Sequence, residues 1–250
     1  VRHLLTHTSG LPAWRPFYTL SSSREEVVAR ALEEPLVYEP GERVVYSDLG
    51  FIVLGSIVEK LAGSRLDEFS WENVFKPLKM RHTMYNPPPN YRGRIAATEY
   101  CKWRRRVLVG EVHDENAYAM NGVSGHAGLF SSARDLAVFS QMMLNMGEYG
   151  GRRILSRASV SLMTANQTKG LNEARGLGWL LKSRGCPGGD LISERAYGHT
   201  GFTGTSIWID PGNELVVILL TNRVHPTREN RAILRVRPLV HNVIVASLER

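Results

Sequence analysis

The stretch from Tyr197 to Leu220 constrains this chain more than any other. Ser206 and Trp208 alternate with Ile207 and Ile209, a period of two carried by aromatic and β-branched residues, as in a strand with two different faces. Asp210-Pro-Gly-Asn213 supplies turn chemistry, and Leu215-Val-Val-Ile-Leu-Leu220 is an uninterrupted apolar run after it. The expectation is a hairpin whose return strand is buried. Gly198, Gly201 and Gly204 recur every third residue at its start. Without Cβ atoms there, the backbone can lie close to a ligand, and a strand edge can offer its N–H groups to an extended substrate or an oxyanion. A glycine-rich bend in an ordinary strand fits the same residues.

Upstream of the hairpin, the punctuation is helical. Arg2-His-Leu-Leu5 reads as a short helix closed by Thr8-Ser-Gly-Leu-Pro12. Ser23-Arg-Glu-Glu26 is a capping box opening a helix to about Glu34. Val44–Asp48 is short and extended. From Leu49 to Ala62 the apolar residues Phe51, Ile52, Leu54, Ile57, Val58 and Leu61 fit a helix buried on one broad face, ended by Gly63. Further helices are expected over 66–74, from Ser132 to about Met146 and over 156–166. Pro87-Pro-Pro89 is a stiff loop, and 178–182 reads as a strand. Pro238 is best tolerated in a first helical turn, which places the last helix from about Arg235 to Leu248. Residues 1–175 are therefore mostly helical, and 176–250 hold the strands and the closing helix. The fold class is α+β, an antiparallel sheet covered by helices with a helical region attached.

Composition limits the function classes. The net charge is +7, but the 31 basic residues are dispersed and Arg104-Arg-Arg106 is their one run, so specific nucleic-acid binding is not indicated. No apolar run is long enough to span a bilayer. Cys101 and Cys186 lie far apart and form no ligand pattern. His113, Asp114, Glu115 and His126 match no standard metal spacing and read as a loop lining a site. Gly122-Val-Ser-Gly125 falls one residue short of a Gly-x-Ser-x-Gly elbow, because His126 stands where the last glycine belongs. Ser9 beside His7 reads as a turn residue rather than a nucleophile.

Three stretches acquire meaning from their order: Arg2-His-Leu-Leu-Thr-His-Thr-Ser-Gly-Leu-Pro12, Tyr46-Ser-Asp48 and His199-Thr-Gly201. With Gly125-His-Ala-Gly-Leu-Phe130 and Asp135-Leu-Ala137 between them, they resemble the serine β-lactamase-like family over nearly the whole chain. That family includes class C β-lactamases, D-alanyl-D-alanine carboxypeptidases, D-aminopeptidases and esterases. The resemblance implies a serine hydrolase working through an acyl-enzyme on esters, amides or D-amino-acid and cell-wall peptides, with no cofactor and no metal. It implies a small-molecule or peptide substrate, and the family is often extracytoplasmic. Tyr46 stands in the Tyr-x-Asn motif as a catalytic proton relay. Asp48 replaces its Asn; a carboxylate cannot donate a hydrogen bond, so it pairs with the family's Lys or caps the following helix. His199, Thr200 and Gly201 stand for the Lys/His-Thr-Gly motif that binds the acyl side of the substrate, and the N–H of Phe202 would face the oxyanion.

The family's Ser-x-x-Lys is the departure. No serine in these 250 residues has a lysine three positions on. Val1 is not a methionine, and the reading is that the nucleophile, its helix and the first two strands precede it. A chain that never carried Ser-x-x-Lys would instead be a binding homologue recognising the same ligands. With those first two strands outside these residues, Leu215–Leu220 is expected to lack its neighbouring strand and present a bare apolar edge.

Overall fold

The computed structural model describes residues 1–248. The chain divides into two units. The first comprises Val1–Ile95, Leu108–Ser131 and Thr168–Asn172. The second comprises Ala96–Val107, Ser132–Gln167 and Glu173 to the end of the described chain. The units do not follow chain order. Helices Ala133–Leu144 and Arg157–Thr164, expected within a helical first part, belong to the unit that holds the sheet.

Helix α1 (Arg24–Glu33) and helix α2 (Asp48–Ala62) build the first unit. Ser23 caps α1 by accepting from the Glu26 N–H, as the capping box requires. The α2 cap differs from expectation. Ser47, not Asp48, accepts from the Gly50 N–H at 3.2 Å, and Asp48 is the first helical residue. Ser47 is almost fully buried and its hydroxyl also donates to the Pro12 carbonyl, so its side chain fits the cap while Asp48 turns to another task. Leu49, Ile52 and Val53 of α2 pack on Val27 and Ala31 of α1 with Leu11, Phe17 and Met120 in one apolar core. Arg24 and Glu59 pair across the two helices at 2.6 Å. Gly63 ends α2 in the left-handed region at φ 66°.

The second unit contains a four-stranded antiparallel sheet: β1 (Leu180–Leu181), β2 (Tyr197–Thr200), β3 (Ser206–Asp210) and β4 (Leu215–Leu219), in the spatial order β4-β3-β2-β1. The Tyr197–Asp210 stretch, read from sequence as the first strand of a hairpin, is two strands. The chain reverses between Gly201 and Thr205, so that Thr200 faces Ser206 and Tyr197 faces Ile209. The glycines allow this. A Cβ on Gly198 would sit 2.3 Å from the Ile207 carbonyl, and Gly204 has φ +121°. The second hairpin forms with the expected turn, in which Asp210 accepts from the Gly212 N–H and the Asn213 amide, but its return strand is not buried as expected: of the five β4 residues only Val217 is buried and the other four are half-buried. Trp208 and Ile209 are fully buried, and Trp208 packs with Leu180, Cys186, Ile192 and Ala196 against Val245 of the last helix, α3 (Ile233–Ala246). That helix starts two residues earlier than expected, which places Pro238 in its second turn, where a missing N–H costs a hydrogen bond. Among the described residues β4 pairs only with β3, so its other edge has no strand beside it. Also among the described residues, no helix is long and apolar enough to cross a membrane.

Candidate active site

The residues singled out by sequence fall into two groups, one in each unit. Tyr46 and Asp48 lie in the first. His199, Thr200, Gly201 and Phe202 lie in the second.

Tyr46 is 44% exposed although both its neighbours are tied down. Ser47 is locked as the α2 cap. Beneath the phenol lies the ring of His7, at 4.4 Å between centroids, and His7 is itself sandwiched against Phe51 at 4.9 Å. His7 is buried, with φ 57°, a left-handed conformation that a non-glycine residue rarely takes. Its Nδ1 accepts from the Ser47 N–H at 3.0 Å, which fixes the ring's orientation. The Thr6-His-Thr-Ser-Gly10 stretch is therefore a pedestal for Tyr46. Ser9 serves its turn, its hydroxyl accepting weakly from the Leu11 N–H.

Asp48 is partly buried, and burial pushes its carboxyl up from 3.8 to about 6; the charge of Asp114 adds to the rise and His126 opposes it. Asp114 and His126 belong to the loop that the sequence suggested lines a site. His126 Nδ1 lies 2.8 Å from the Ser124 hydroxyl and its Nε2 lies 2.8 Å from Asp114. Asp114 also caps the helix Glu115–Ala119 through the Ala117 N–H. The four-residue group His113, Asp114, Glu115 and His126 is not arranged as a ligand set, since both ring nitrogens of His126 are taken.

In the second unit, His199 and Thr200 end β2. The pairing of β1 reaches only Tyr197 and Gly198, so this end of β2 extends beyond it. His199 Nδ1 donates to the Thr200 carbonyl at 3.0 Å. A carbonyl can only accept, so the Nδ1 position carries the proton and Nε2 is left as acceptor, 3.5 Å from Arg175 Nη1. Burial, then the charges of Arg175 and Arg237, push His199 down to about 4, and the ring is neutral at physiological pH. The Gly201–Thr205 turn is braced from behind by Arg237, which is buried and donates through Nη2 to the carbonyls of Gly201 at 2.7 Å and Thr205 at 2.8 Å. Phe202 is exposed, with the Arg223 guanidinium 4.2 Å from its ring centre and donating to its carbonyl.

His7, Ser124, Arg175 and Arg237 are absent from the residues picked by sequence as site residues. His7 stood inside a quoted motif. Arg175 and Arg237 carried no local signal, because each acts on residues more than twenty positions away.

Comparison with known proteins matches residues 1–241 to the family described as Beta-lactamase. A Bacillus subtilis (strain 168) protein named N-acetylmuramyl-L-alanine amidase is 41% identical, over 89% of this chain and 55% of its own length. A provisionally named D-alanyl-D-alanine carboxypeptidase of Salmonella enteritidis PT4 is 36% identical, over 98% of this chain and 60% of its own. The chain thus spans a little over half the length of these relatives. A beta-lactamase from Mycobacterium bovis superposes with a TM-score of 0.68 at 23% identity, covering 98% of this chain and 72% of that one, which shows the fold.

Proposed function

This chain belongs to the Beta-lactamase family, and from that premise we propose that it works in a serine hydrolase whose nucleophile lies outside these 250 residues. The observation that carries the reading is the mounting of Tyr46. An exposed phenol stands on a buried, ring-stacked histidine and beside a buried helix cap. Such rigidity in a solvent-facing polar side chain serves positioning, and catalysis draws on positioning.

In this reading a serine hydroxyl attacks the carbonyl of an ester or amide, and its proton passes by way of Tyr46 to the departing alcohol or amine. Water then releases the acyl group and restores the serine. Asp48 is the counter-charge for the lysine that accompanies the serine. Gly201 and Phe202 present the strand end and the oxyanion N–H, and His199 and Thr200 contact the acyl side of the substrate. A neutral His199 alters what this edge can do. Its Nδ1 is committed to the Thr200 carbonyl and its Nε2 faces Arg175, so it lacks the charge a lysine would offer, and Arg175 behind it is ion-paired with Glu173. The substrates proposed are the linkages in the relatives' names, D-alanyl-D-alanine peptides and N-acetylmuramyl-L-alanine amides, with small esters as surrogates.

The test is hydrolysis of a chromogenic ester and of D-alanyl-D-alanine peptides by the full-length protein, with Tyr46→Phe alongside. Turnover that falls on substitution supports the reading. A full-length protein that binds such peptides without turning them over makes this a binding homologue.

A further inference from the structure

Ser124, His126 and Asp114 form a continuous hydrogen-bonded chain inside the first unit, and the proton relay described above does not use it. Ser124 is 1% exposed, which excludes it as a nucleophile for an outside substrate. The chain is pressed against the start of α2. A Cβ on Gly125 would lie 2.2 Å from the Phe51 carbonyl, and one on Gly55 would lie 3.0 Å from the Gly125 N–H. The loop is therefore seated on the first two turns of the helix that begins at Asp48.

We propose that His126, held by Ser124 and Asp114, is a positioning residue for the Tyr46-Ser47-Asp48 segment, the buried cation that the Asp48 carboxylate faces. The inference rests on the hydrolase reading for its catalytic consequence. The bonding supports a ring that can carry charge in place. A neutral His126 donates from Nε2 to Asp114 and accepts at Nδ1 from the Ser124 hydroxyl. A charged one keeps the Asp114 bond and donates from Nδ1 to the same hydroxyl oxygen. Serine, unlike a carbonyl or an amide N–H, serves both states without moving.

Burial alone would hold His126 neutral, but the hydrogen bond and charge of Asp114, with Asp48 beyond, outweigh it and raise the ring above its ordinary range. Asp114 answers in kind. Burial would raise its carboxyl, and the His126 bond and charge, the Ala117 N–H and His113 bring it below the usual value. The remaining groups around the loop are accounted for. Arg24 donates to the Val123 carbonyl but is paired with Glu59, and Tyr85 donates to the Ser124 carbonyl at 3.3 Å with its phenol pushed up to about 12. Among the described residues the charges that act on Asp48 are His126, which favours its ionised form, and Asp114, which opposes it. Without the imidazolium its carboxyl would be both buried and beside a like charge.

The experiment is a pH titration of the full-length protein labelled with 15N-histidine, followed by NMR, for wild type, Asp48→Asn and Asp114→Asn. The expected result is a His126 that stays doubly protonated to higher pH than an ordinary solvent-exposed histidine, with a midpoint lowered by half a unit or more in D48N and further in D114N. Asp114 also caps a helix, so D48N is the deciding arm. A His126 that is neutral from pH 5 to 8, or a midpoint that D48N leaves in place, overturns the proposal. In the full-length protein, His126→Gln is expected to move the acid limb of kcat/KM up by a unit or more, and an unmoved limb also overturns it. A full-length protein without turnover refutes the hydrolase reading instead, and the NMR arm still decides the coupling.

Discussion

Asp48→Asn is the substitution whose outcome the structure fixes most tightly. The carboxyl is displaced from 3.8 to about 6, first by burial and then by Asp114. A displacement of about two units corresponds to about 3 kcal/mol between its charged and neutral forms. The sign follows from linkage. The folded state holds the proton more tightly than the unfolded state, so the cost of ionising Asp48 is absent below the unfolded value. It grows between about pH 4 and pH 6 and is fully present above that. Asparagine removes the cost but also removes a negative charge from the first turn of α2, which is worth about 0.3–1 kcal/mol. The net expectation is a variant more stable than wild type by about 2 kcal/mol at pH 7 and nearly equal to it at pH 4. Urea unfolding followed by circular dichroism, both proteins at pH 4, 5, 6 and 7, reads this directly. Equal stability at pH 7, or a gain that does not change with pH, would refute the electrostatic account. A stabilised variant that has lost turnover would also explain why a strained carboxylate is kept at this position.

In the active protein, Tyr46→Phe is expected to lower kcat by about 10²–10⁴-fold with little change in KM, the range for a general acid–base group acting in the transition state, and steady-state kinetics on a chromogenic ester checks it. Ser47→Ala removes a helix cap and a buried hydroxyl bonded to Pro12, and should cost about 1–2 kcal/mol in chemical denaturation. Arg237→Met removes the side-chain donor from two carbonyls that keep only the backbone N–H groups of Gly204 and Gly201, and should open the Gly201–Thr205 turn, seen as new protease cleavage there, while a protected turn would mean that these backbone bonds suffice. The outer edge of β4 is apolar and has no described strand beside it, so residues 1–250 expressed alone should bind a hydrophobic dye and associate, and a monomer with a sharp melting transition would contradict this.

Local chemistry was legible at most places where one residue acts on its near neighbours, although the cap of α2 fell to Ser47 rather than Asp48. Ser23, Ser132 and Ser156 each cap the helix that follows, as a side chain three positions from its target must. The Asp210 turn and the Gly63 stop follow from side-chain and backbone preferences at single positions. The Tyr197–Asp210 stretch was harder, because the alternation at 206–209 continues into glycines that fit either a bend within a strand or a reversal between two. Cross-strand pairing of Thr200 with Ser206 decides that, and pairing is not local. The site divided the same way. Tyr46, Asp48 and His199–Gly201 were legible as motifs in order. His126 reaches Asp114 across twelve positions, Ser47 reaches His7 across forty, and Arg237 reaches the Gly201 turn across thirty-six, and no periodicity encodes such meetings.

The central claim, that this chain carries the supporting groups of a serine hydrolase but not its nucleophile, is tested most directly by covalent labelling. The chain of residues 1–250 and the full-length protein are each treated with a fluorophosphonate, and the products are weighed and mapped by mass spectrometry. The account predicts one label per molecule on the full-length protein, at a serine outside these 250 residues, and none on the shorter chain. Stoichiometric labelling of Ser9, Ser124 or any other serine within residues 1–250 would contradict it.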